Sequence, residues 1–95
     1  MEKIASRVTV KNVEMATANT EYSYTLPAGT HRFAVKLRNL GYPLKICWVS
    51  GASGTTYRNL AQGKSWDVKD VRAGGNTLYF QTTADGQVCE IISWA

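Results

Sequence analysis

Apolar and polar side chains alternate with a period of two through most of this chain, and Gly, Pro, Asn and Asp interrupt the alternation about every ten residues. That period places alternate side chains on opposite faces of a strand, and few windows offer the 3.6-residue repeat of a helix. Tyr22, Tyr24 and Leu26 share one face before the Pro27-Ala28-Gly29 turn. Phe33, Val35 and Leu37 then point inward while Arg32, Lys36 and Arg38 point outward. Leu44, Ile46 and Trp48 follow in phase, and Trp66 and Val68 mark a shorter strand after another from Thr55 to Leu60. Leu78 and Phe80 alternate along Asn76 to Thr83, Asp85-Gly86 is read as a hairpin turn, and Val88, Ile92 and Trp94 continue in phase, with Glu90 interrupting that face. An N-terminal strand is predicted from Lys3 to Lys11 on Ile4, Val8 and Val10; Asn12 to Thr20 alone has the pattern of a helical turn.

About eight short strands with such punctuation predict an all-β fold, an antiparallel two-sheet β-sandwich of jelly-roll-like type. At 95 residues and 44% hydrophobic content the chain suits one domain, residues 1–95, with one core. Phe33, Val35, Leu37, Ile46, Trp48, Leu78, Phe80 and Ile92 are expected in that core, and Trp94 with them. Such a fold leaves strand edges to manage, so self-association into a homo-oligomer is expected. No apolar run reaches membrane-span length and the first twenty residues lack a signal-peptide block, so the expectation is a chain made in the cytoplasm with no membrane partner.

Charge is uneven. Of the 11 Lys and Arg residues, Arg32, Lys36, Arg38 and Lys45 fall between His31 and Lys45 with no acid among them, and the other seven balance the seven acids. This row is a candidate partner-binding surface for an acidic protein, phosphates or an anionic glycan. No aromatic side chain interleaves with it on the same face, which argues against nucleic acid.

The chemistry-bearing residues are sparse. His31 is the only histidine, and no sequence feature links it to Cys47 or Cys89. The acids are dispersed, Asp67 and Asp70 are split by Lys69, and the cysteines have neither CxxC spacing nor clustered histidines. No catalytic residue, metal site or cofactor is therefore expected, and the chain reads as a non-enzyme. Reduced, half-buried thiols are favoured for Cys47 and Cys89, with a disulfide left geometrically open. Tyr57, Trp66 and Tyr79 lie on shorter or amphipathic strands, where rings could contact a subunit or stack on a sugar.

The run Leu26-Pro27-Ala28-Gly29-Thr30 leading into Phe33-Ala34-Val35-Lys36-Leu37-Arg38, with the closing Gly86-Gln87-Val88 and Glu90-Ile91-Ile92 before Trp94, resembles small virion accessory proteins of tailed bacteriophages. The resemblance spans residues 17–95. It implies a β-sandwich or jelly-roll component of a phage head, neck or fibre, located in the virion and acting through contacts with capsid, neck or tail proteins. It carries over no functional residue. A carbohydrate-binding β-sandwich module is the alternative.

Overall fold

The computed structural model describes residues 7–39 and 41–95. Eight strands form: β1 (Val8–Met15), β2 (Tyr22–Thr25), β3 (Arg32–Leu37), β4 (Leu44–Cys47), β5 (Arg58–Leu60), β6 (Trp66–Lys69), β7 (Thr77–Thr82) and β8 (Gln87–Trp94). They make two four-stranded sheets, sheet A in the order β1-β8-β3-β6 and sheet B in the order β2-β7-β4-β5, with every pairing antiparallel. This is the predicted all-β, two-sheet architecture. Its logic is a long ribbon folded on itself: β1 pairs with β8, β2 with β7, β3 with β6 and β4 with β5. That arrangement is the jelly roll.

The inner faces meet in one core. Phe33, Val35 and Leu37 of β3 and Cys89 and Ile91 of β8 face Leu44 and Ile46 of β4 and Leu78 and Phe80 of β7, and Met15, Leu26, Leu60 and Ala73 complete the cluster. The polar groups buried among them are bonded: Thr30 and Thr82 donate their hydroxyls to the carbonyls of Pro27 and Pro43, each at 2.7 Å. The turn after β2 is tight because Gly74 approaches the backbone of Pro27-Ala28-Gly29, and a Cβ there would run into Gly29 N and the Pro27 carbonyl. Only glycine fits such an approach.

Five expectations need correction. On β8 the inward phase is Cys89, Ile91 and Ser93, so Ile92, Trp94 and Val88 face outward beside Glu90 and are half-buried. β8 lies between β1 and β3, and its outward apolar side chains are covered by neighbours: Val10 and Ala34 flank Ile92, while Val8 and Arg32 flank Trp94. The Arg32 guanidinium lies 4.4 Å from the Trp94 ring centre. Trp48 is not core: β4 ends at Cys47, and the ring is 44% exposed although it touches Phe33.

The N-terminal strand runs later than predicted. Asn12 to Met15 continue β1 where a helical turn was expected, and the strand's buried residue is Met15, while Val8 and Val10 face solvent. Ile4 and the start of the predicted strand lie outside the described residues. Asp85-Gly86 is a crossing between sheets and not a hairpin, because β7 belongs to sheet B and β8 to sheet A. The turn is tied instead to the segment after β1, with Ala18 N–H donating to Asp85 and Gly86 N–H to the Ala16 carbonyl. Finally, the cysteines are free thiols and more deeply buried than expected. Cys89 faces the core, whereas Cys47 lies in the outward phase of sheet B, so the two thiols are on different sides of that sheet.

Candidate functional site

The predicted basic row does not present unpaired charge. Arg32 makes a two-pronged contact with Asp67 of β6, at 2.9 and 3.2 Å. Lys36 and Arg38 both reach Glu90 of β8, at 3.2 and 2.7 Å. Register explains this, since Lys36 stands opposite Glu90 and Ala34 opposite Asp67, which brings each carboxylate beside the cations of β3. Hydrogen bonds from Arg38, then Lys36, hold the Glu90 carboxyl below its ordinary range, and Arg32 does the same for Asp67. Lys45 is not part of the row. It projects from the outer side of sheet B, where its ammonium sits 5.0 Å from the Tyr57 ring centre.

What sheet A offers outward is an apolar centre with an ionic border. Val8, Val10, Ile92, Trp94 and Ala34 adjoin across β1, β8 and β3, and Val8 and Val10 are 50% and 64% exposed. A depression of about 430 Å³ lies over Val10, Ala34 and Ile92, bordered by Asn12, Ser65, Lys36, Arg38 and Glu90.

The other concentration of unusual side chains is the mouth of the sandwich between edge strands β5 and β6. Phe33, Trp48 and Trp66 meet edge to face, with ring centres 5.8, 5.6 and 6.3 Å apart. Arg58, in the inward phase of β5 opposite Ile46, reaches across to Trp66 at 5.5 Å. Tyr57 comes just before β5 and lies beside Lys45 on the outer side of sheet B. Of the predicted ring candidates, Tyr57 and Trp66 therefore flank this edge on opposite sides. Tyr79 is apart from them, half-buried on β7 between Ser23 and Cys47. Trp48 and Arg58 were missed by the sequence reading. The available signal was that residues 41–66 carry Lys45, Arg58 and Lys64 and no carboxylate.

The loop joining β4 to β5 folds back over sheet B and is clamped by Glu21. That carboxylate accepts hydrogen bonds from the Gly51 N–H (2.7 Å), the Ser53 N–H (3.1 Å) and the Ser53 hydroxyl (2.6 Å). The hydroxyl bond above all holds the Glu21 carboxyl below its usual range. Gly54 is thereby set against the Gln81 side chain, and Cys47 Sγ donates to the Val49 carbonyl. Burial pushes the Cys89 thiol up to about 12, with the Glu90 charge adding to the shift.

No group of three or more potential metal-ligating side chains occurs among the described residues. No family model matches the chain, and no curated protein matches it. Among solved structures it is similar to a de novo designed double-stranded β-helix determined by solution NMR, at 18% identity and a TM-score of 0.52, over 94% of this chain and 99% of that one. At that identity the likeness extends to the fold, the same doubly wound ribbon, and to nothing else.

Proposed function

We propose that the chain is a non-enzymatic structural component of a bacteriophage particle, made in the host cytoplasm and placed in the virion, where it binds its own copies and a larger capsid, neck or tail protein. The phage assignment rests on the sequence resemblance described above. The contact reading rests on one observation: the outer face of sheet A exposes Val8 and Val10 beside Ile92, with ion pairs at its border. An apolar centre inside a polar rim is the anatomy of a protein contact. The face of the sheet, and not its edge, is the contact surface, because the exposed Lys11 of β1 discourages a further strand from adding there.

The test is sedimentation of the purified protein alone and with virions or a major capsid protein, in wild type and Val10→Lys. Wild type is expected to self-associate and to co-sediment. The variant is expected to do neither while keeping its melting temperature, since Val10 is exposed. A wild-type protein that stays monomeric and free of particles overturns the reading.

A further inference from the structure

We propose that the mouth of the sandwich between β5 and β6 binds an acidic sugar, a pyranose bearing a carboxylate, with Trp48 stacking on the ring and Arg58 holding the carboxylate. This goes beyond the structural role proposed above and stands independently of it, on a different part of the molecule.

Three observations converge. Trp48 keeps 44% of its surface in solvent although its ring is held edge to face by Phe33 and Trp66. An exposed indole fixed in this way costs little ordering entropy when a ligand covers it. Next, the cations here differ from the basic row of Arg32, Lys36 and Arg38 on sheet A. Among the described residues the ion pairs involve Arg32, Lys36 and Arg38, and none involves Lys45, Arg58 or Lys64. Residues 41–66, the β4–β5 hairpin and its exit, contain no acid, so these three cations complement an anionic ligand.

The third observation selects the class of anion. Arg58 lies over Trp66 and Lys45 over Tyr57, so cations already occupy a face of two of the three rings at this edge. A single-stranded nucleic acid needs successive open rings for successive bases. One half-exposed tryptophan, with a guanidinium over the neighbouring Trp66 ring, suits a single sugar ring with its carboxylate. A guanidinium stacked on a ring keeps its in-plane N–H fork free for two-pronged carboxylate binding. The Lys45–Tyr57 pair, on the outer side of sheet B beside the three-residue strand β5, can receive the next acidic residue of an oligosaccharide.

The experiment titrates the protein with an oligogalacturonate, its carboxyl-reduced neutral counterpart and a decathymidylate, following tryptophan fluorescence and heat. Saturable binding of the uronate is expected, weakened at least about tenfold by carboxyl reduction, by Arg58→Gln or by Trp48→Ala, and weakened by added salt. Lys36→Ala, on sheet A, should leave it unchanged. Arg58→Gln keeps all three rings, so it remains informative if Trp48→Ala fails to fold. The proposal is overturned by no saturation at about 5 mM uronate, by equal affinity for the neutral sugar, by tighter binding of the decathymidylate, or by full binding in Arg58→Gln. A Val10→Lys protein that no longer self-associates yet still binds uronate separates this site from the sheet A contact.

Discussion

Two adjacent isoleucines on β8 provide a stringent test of which face of that strand is the core. Ile91 is 1% exposed against the inner cluster, whereas Ile92 faces outward between Val10 and Ala34 and is half-buried. Truncation to Ala removes three carbons, each worth about 0.8 kcal/mol when taken from water, or roughly 2.4 kcal/mol for full burial. At Ile91 a closed cavity adds to this, giving a loss of about 3–4 kcal/mol. At Ile92 burial is partial and water fills the vacated space, so the loss should be about 1 kcal/mol. With a urea dependence of about 1.5 kcal/mol per molar, the unfolding midpoint should fall by about 2 M for Ile91→Ala and by less than about 1 M for Ile92→Ala. Urea titration followed by tryptophan fluorescence measures both. Equal shifts, or a larger one for Ile92→Ala, would refute the phase assignment of β8 and the outward apolar face that depends on it.

Gly74→Ala should cost about 1–3 kcal/mol, because its methyl group meets the Gly29 backbone, which cannot rotate away; calorimetry should show a melting temperature lower by about 5–15 °C, and an unchanged value would mean the two turns can separate freely. Cys89 should resist iodoacetamide in the native state and react only on unfolding, as read by mass spectrometry. Its raised pKa favours the thiol in the folded chain, so this contribution to stability is complete below the unfolded value of about 8.5 and is lost as pH rises towards about 12. Glu21, Asp67 and Glu90 have lowered values, so their contribution is present above about pH 4.3 and is lost as pH falls through their folded values. Glu21→Gln should lower the melting temperature near neutrality and flatten its acid decline, and a decline as steep as in wild type would show that the loop clamp contributes nothing.

β3 and β7 were readable from the sequence because one phase of each is clearly the more apolar: Phe33, Val35 and Leu37 have no competitor in Arg32, Ala34 and Lys36, and Leu78 and Phe80 stand against Thr77, Tyr79 and Gln81. β8 has no such contrast. Val88, Ile92 and Trp94 are larger and greasier than Cys89, Ile91 and Ser93, so hydrophobicity alone selects the wrong face, and Glu90 was the one residue arguing for the right one. Pairing decides the matter, since β8 lies between β1 and β3 and its outward apolar side chains are sheltered by both neighbours. The basic row was visible as composition, but its neutralisation was not, because Asp67 and Glu90 arrive from strands remote in sequence. The clamp of Glu21 on Ser53 was invisible for the same reason. What survived translation from sequence to surface was the acid-free stretch around the β4–β5 hairpin, whose cations Lys45, Arg58 and Lys64 make none of the ion pairs among the described residues.

The pairing of β1 with β8 also dictates when this chain can become a protein. β8 is synthesised last among the eight strands, yet it is the one strand that joins β1 to the rest of sheet A. Until Trp94 has left the ribosome, β1 has no partner in sheet A and its side chains have no inner layer to complete. Only β4 and β5 are both neighbours in sequence and partners in a sheet, so every other pairing must close a longer loop before it is rewarded. We therefore expect folding to be slow for a domain of this size, on the millisecond-to-second scale, and to await the synthesis of β8. A chain halted before β8 would expose the inner faces of both sheets and depend on chaperones to stay in solution.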